Sequence, residues 1–164
     1  MLVMGNNTLT QQGRTQDILP SLGLLSTKGD DLGEAGSLLQ AAVTGFSEAY
    51  SMIDLAIGDQ VMQVLGQQRP ATERVRLFLA ARDIAIATSK PTQLSIRNML
   101  SVTITDIAPL TGQMRGLVAV HLTVNGSGER LCAHISKAAC EALNLQLGAE
   151  VFALIKSARI STPA

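Results

Sequence analysis

Two short stretches of the chain gather hydrogen-bond donors. In QLSIRNML (93–100), Ser95, Arg97 and Asn98 stand at the mouth of an apolar strand; in LIKSARI (154–160), Lys156 and Ser157 stand near the end of the final strand. None of the five is the acid or base that proton-transfer catalysis usually employs. Together they supply two positive charges, two hydroxyls, one carboxamide and nearby backbone N–H groups, a set that suits a small tetrahedral oxyanion. Charge-assisted bonds from Arg and Lys neutralise a dianion, while hydroxyl and amide donors fix its orientation. A site made only of donors also selects: hydrogen phosphate needs an acceptor opposite its proton, whereas sulfate, molybdate and tungstate do not. The plainer reading is that Arg97 and Lys156 are solvated residues at strand ends. Spacing alone leaves both open, because the two halves lie far apart in sequence.

The other reactive side chains form weaker patterns. His121, His134 and Cys132 approach one another across the NGSG hairpin if His121 pairs with His134, and such a trio could bind a transition metal. No fourth ligand is evident, and three ordinary residues on a half-polar face explain it as well. Cys132 and Cys140 form no C-x-x-C unit, no Ser/His/Asp set shows an ordering signal, and Asp30, Asp31 and Glu34 read as solubilising charge. No G-x-x-x-x-G-K-S/T occurs, so no phosphate cradle of that kind forms and the chain is expected not to hydrolyse ATP. GQQRP (66–70) shares letters with an ABC signature motif but lacks the preceding Ser-Gly-Gly and reads as a turn.

Composition narrows the class. Apolar residues are 46% of 164, formal net charge is zero and aromatics are 2%. Neither a basic footprint for nucleic acid nor a base-stacking platform is available. No apolar run approaches the roughly 18 residues of a membrane span. MLVMGNNTLTQQGR lacks the features of a signal peptide, so both cysteines read as reduced thiols in a cytoplasmic protein.

The elements that must position the donors are mostly strands. MLVM and LTQQ read as strands around a turn, with a helical turn before Pro20; STKGDDLGEAGS (26–37) reads as a linker or exposed loop. From about Leu38 the β signals accumulate. AYSMIDLAI and VMQVL form a hairpin around GDQ; RVRLFLA, RDIAIAT, MLSVTITDI, GLVAVHLTVNG and RLCAHI follow as strands. Ser136 is placed to cap a helix over KAACEALNL, and VFALIKSARI reads as the last strand. Short strands with one brief helix predict two small closed barrels in tandem, 38–90 and 91–164, after a segment 1–37.

The second barrel resembles a known family. LSIRNML followed by VTI, and LCAHISKAACEALNLQLGAEVFALIKSARI at the right separation, resemble the molybdate-binding Mop domain of the TOBE group of OB-like barrels over residues 93–162. Upstream, VRLFLAARDIAIATSKPTQLSIRN is similar to the segment joining two such barrels in the ATP-binding subunit of molybdate ABC importers, and MLVMGNNTLTQQGRTQDIL is similar to the end of that subunit's nucleotide-binding domain. The resemblance implies a mostly β chain of tandem TOBE/Mop barrels after a small remnant of an ABC nucleotide-binding domain. It implies oxyanion contacts from Ser95, Arg97, Asn98, Lys156 and Ser157, backbone from Ile96, and Ser136 where the family usually has threonine. Ala139 stands where a serine is often found, which removes one contact.

In the family the site lies between two subunits, so a homodimer is implied, with molybdate or tungstate as ligand. The implied role is regulatory: the region restrains the transporter ATPase when the anion is abundant, beside permease subunits at the inner face of the membrane. If Met1 is a true start, the product is a detached regulatory piece; otherwise a boundary cuts the subunit. The alternative is a stand-alone molybdate store of the molbindin kind. A Mop-type transcription regulator is disfavoured, since no helix-turn-helix pattern precedes the barrels; a metal enzyme built on the His/His/Cys trio comes last.

Overall fold

Alternating, β-branched stretches dominate the sequence, and the computed structural model, which describes residues 2–5, 8–12 and 34–161, is accordingly mostly β. β1 (Leu2–Gly5) and β2 (Thr8–Gln12) pair antiparallel, the two strands expected there, and residues 6–7 between them lie outside the described residues. The turn expected before Pro20 and residues 26–33 of the expected linker lie outside the described residues.

Two five-stranded antiparallel sheets follow, one for each tandem OB-like unit. The first half of the chain contributes β3 (Gly36–Ser47), β4 (Met52–Ile57), β5 (Gln60–Leu65), β6 (Arg74–Ala80) and β7 (Ile84–Ala87). The second contributes β8 (Asn98–Pro109), β9 (Leu117–Val124), β10 (Arg130–Ser136), β11 (Glu150–Ile155) and β12 (Arg159–Ser161). A short helix, α1 (Lys137–Ala142), begins where expected: the Ser136 hydroxyl accepts the Ala139 N–H at 3.0 Å. The buried faces of both sheets merge into one apolar cluster, with Leu39, Leu55 and Leu77 from one and Leu100, Ile104 and Leu122 from the other fully enclosed.

Strand pairing crosses the chain's midpoint in both directions. The orders are β12-β6-β3-β4-β5 and β10-β9-β8-β11-β7, so β7 completes the second sheet and β12 completes the first. VFALIKSARI is therefore not one strand. β11 ends at Ile155, the chain breaks at Lys156–Ala158, and β12 joins the other sheet on β6. The strand β3 also begins inside the expected linker: Ser37 is fully buried, and its hydroxyl accepts the Cys132 N–H at 2.9 Å.

The halves repeat one another. β3 carries a bulge between Val43 and Gly45, and β8 carries one between Ile104 and Asp106, each against its following strand. The hairpin tips β4–β5 and β9–β10 meet head to head. Gly58 and Gly126 there have φ of 62° and 84°, and a Cβ on either would strike the opposite tip at Ser127 or Asp59.

Candidate functional site

The break between β11 and β12 lies beside the entry to β8, because Ile155 pairs with Asn98 at the end of the β8–β11 ladder. This register brings the two donor stretches together. Ser95, Arg97, Asn98, Lys156 and Ser157 all line one cleft of about 230 Å³. That is below the roughly 300–1,000 Å³ of a drug-sized pocket. The guanidinium-bearing and ammonium-bearing residues thus share one cavity, although they are distant in sequence.

The opposite wall was not foreseen. Met52, Gln63, Val64 and Leu65, on β4 and the edge strand β5 of the first unit, complete the cleft. Asn98 is 9% exposed and pairs with the Gln63 backbone: its Oδ1 accepts the Gln63 N–H and its Nδ2 donates to the Gln63 carbonyl, both at 2.8 Å. One of the carboxamide's two N–H groups is thereby committed to joining the units. The Gln63 side chain accepts from Arg97 Nη2 at 3.4 Å and donates to Asp54 Oδ1 at 2.8 Å, so it steadies the guanidinium from across the cleft. The only sequence signal for Gln63 is a polar residue in an apolar strand; its partner across the units has none.

The cleft's surroundings are not purely donating, which corrects that expectation. The Ser157 hydroxyl donates to Asp83 Oδ2 at 2.6 Å, and the Lys156 backbone N–H donates to the Asp83 carbonyl at 3.0 Å. A hydroxyl has one proton, so Ser157 must leave Asp83 before it can donate to an anion. Ile96 is half-buried and is not among the residues lining the cleft. Ser136 lies at the far end of its sheet: it pairs with Leu117, and the β9 residues beside Leu117 meet the C-terminal end of β8, while Asn98 opens β8.

The histidine–cysteine trio assembles in another register. Cys132 pairs with His121, and His134 pairs with Ala119, so His121 and His134 are diagonal neighbours rather than partners. Cys132 is buried, and burial pushes its thiol up to about 12, far from the thiolate a metal needs. Burial also lowers the basicity of both imidazoles. At His121 Asp106 opposes this and Arg130 adds to it; at His134 the neighbouring His121 adds to it. Among the described residues no group of three or more His, Cys, Asp or Glu side chains is placed to hold a metal ion. GQQRP lies between β5 and β6, as the turn reading expects.

Comparison with known proteins shows what the chain is similar to. The TOBE domain matches residues 94–161. The molybdenum import ATP-binding protein ModC of Mesorhizobium japonicum is 34% identical over 159 residues, 96% of this chain and 40% of that protein. The ModC proteins of Brucella abortus and Haemophilus influenzae are 29% and 32% identical, over 100% and 98% of this chain and 43% of each relative. The chain thus spans less than half the length of the curated relatives it matches, and corresponds to their C-terminal part. In fold, it is similar to the crystal structure of the cytoplasmic molybdate-binding protein ModG with molybdate bound. The TM-score is 0.66 at 22% identity, covering 84% of this chain and 100% of that one.

Proposed function

Residues 94–161 belong to the TOBE domain family, and from that premise we propose that the chain binds molybdate or tungstate in the cleft between its two units. The role is regulatory, as the C-terminal part of a molybdate transporter's ATP-binding subunit. The observation that carries the reading is the shared cleft. Arg97 and Lys156 bring two positive charges to one small cavity, with Ser95, Ser157 and the second N–H of Asn98 as orienting donors. An oxyanion there replaces Asp83 as acceptor for Ser157 and neutralises both cations. Ser136 and Ile96 stand apart from this set, so a contact from Ser136 would come from another copy.

In this role the chain acts as a homodimer beside permease subunits, at the cytoplasmic face of the membrane. It takes part in regulation rather than in ATP hydrolysis. Among the described residues no helix is long and apolar enough to cross a membrane. Restraint of the transporter follows if the liganded arrangement of the units differs from the empty one, since a ligand shifts an equilibrium only by its differential affinity.

Titration calorimetry with molybdate, tungstate, sulfate and phosphate tests the reading. Heat is expected for the first two only, which are the larger ions of the four. Arg97→Ala is expected to weaken molybdate binding at least about tenfold while the chain stays folded, because a charge-assisted bond contributes ~1.5–3 kcal/mol. Unchanged affinity would exclude this cleft. The storage reading draws on the fold likeness, which spans the whole ModG chain; co-purification with permease subunits, expected only of a transporter component, separates the two.

A further inference from the structure

The geometry points to Asp83 as the residue that sets how tightly the cleft holds its anion, by competing with that anion for the Ser157 hydroxyl. This inference rests on the proposed oxyanion reading and adds an internal antagonist to it. The position of Asp83 follows from strand pairing. β7 runs antiparallel to β11, and Ile84 faces Ile155 at the end of that ladder, so Asp83 continues it beside Lys156 and Ser157. The carbonyl of Asp83 accepts the Lys156 N–H at 3.0 Å, and its carboxylate Oδ2 accepts the Ser157 hydroxyl at 2.6 Å. Asp83 is not among the residues lining the cleft. It therefore acts through Ser157, as a positioning residue rather than a contact of the ion.

The carboxylate is held in place from its other side. Asp83 ends a single 3-10 turn, Ala81–Asp83, whose first residue donates its N–H to the Ala35 carbonyl at 2.8 Å and whose second, Arg82, pairs with Glu34 at 2.6 Å. Glu34 in turn pairs at 2.8 Å with Arg159, two residues beyond Ser157. A fixed acceptor opposite a hydroxyl with one proton sets an incoming anion two costs. Ser157 must give up one charge-assisted bond to make another, an exchange with little net gain. The anion also comes to lie near a carboxylate of its own sign, one hydroxyl away. Both costs raise the anion concentration at which the cleft fills. That suits a site reporting abundance and works against one that stores the ion at low supply.

Molybdate calorimetry on a double-mutant cycle of Asp83 and Ser157 tests this. Asp83→Asn removes the charge, keeps the shape, and lets an amide N–H donate to the Ser157 oxygen, which turns the hydroxyl proton toward the cleft. Molybdate binding is expected to tighten by about three- to tenfold. Ser157→Ala is expected to weaken binding in both backgrounds, and by about threefold or more further in the Asp83→Asn chain than in the unmodified one. A merely structural role for Asp83 would weaken binding in Asp83→Asn, or would leave the Ser157→Ala loss the same in both backgrounds; either result overturns the inference. If Asp83→Asn does not fold, Asp83→Ser, smaller and uncharged, carries the same two expectations. Absence of molybdate heat from the unmodified chain and from the uncharged variants alike removes the oxyanion reading and this one together. An unmodified chain that binds, with the same affinity in the uncharged variants, removes this one alone.

Discussion

Asn98 works in two directions at once. Its backbone opens β8 beside Arg97, while its carboxamide closes two hydrogen bonds onto the Gln63 backbone of the other unit. Replacing it with alanine strands an N–H and a carbonyl at a half-buried junction, each at a cost of ~1–3 kcal/mol. Asn98→Ala is therefore expected to lower unfolding stability by about 2–4 kcal/mol in urea titrations, more than Ser37→Ala, which strands one N–H. Equal losses in the two variants would mean that the second Asn98 bond contributes nothing. Arg97 carries no comparable structural burden: its side chain is exposed, and its bond to Gln63 is long at 3.4 Å. At this scale the sequence was informative about donor chemistry. The types of Ser95, Arg97, Lys156 and Ser157 marked them as donors, but their spacing did not join the two stretches; the strand register does, and all four line one cleft. The sequence was uninformative about what each donor already holds, because Asp83 and Gln63 reach the site through pairing between units.

Element boundaries were legible wherever alternation and turn chemistry agreed. The hairpin β4–β5 around Gly58 and the helix capped by Ser136 fall where the pattern puts them. Register was not legible. The β9–β10 turn sets Cys132, not His134, opposite His121, a difference of two residues that keeps all three side chains on one face, and there the thiol is buried. The break after Ile155 was equally hidden, since LIKSARI alternates through it and only the presence of a second sheet pulls β12 away. The two histidines give this face a pH signature. Unfolded, both titrate near 6.5; folded, burial holds them lower, against the pull of Asp106 on His121. Between those values the unfolded chain binds more protons, so their contribution is complete above 6.5 and is lost as pH falls through 6.5 toward the lowered values. Urea midpoints measured at about pH 7.5 and about pH 5.5 should therefore drop on acidification, and the drop should shrink in a His121→Gln/His134→Gln double variant. An identical drop in the double variant would assign the acid sensitivity to other groups.

For the molecule as a whole, neither unit has a complete sheet of its own. The second lacks an edge strand until β7 pairs with β11, and its own β12 leaves to cover β6 of the first. Its third strand, β10, is capped from outside by Ser37, and its core shares one apolar cluster with the first unit. Residues 92–164 produced alone would therefore expose the β11 edge, free β12 from its partner strand, and uncover apolar surface that residues 36–87 bury. An unpaired edge and a departing strand are the conditions under which identical chains exchange segments. Sedimentation velocity of that fragment is expected to show dimers or larger species, each copy supplying to the other what the first unit supplies in the intact chain. Addition of a separate fragment covering residues 1–91 is expected to convert these to a mixed pair with the intact chain's mass. A fragment 92–164 that sediments as a stable monomer with a cooperative unfolding transition would mean that the strand exchange is decoration on two self-sufficient barrels, and the coupling between anion occupancy and unit arrangement would lose its structural basis.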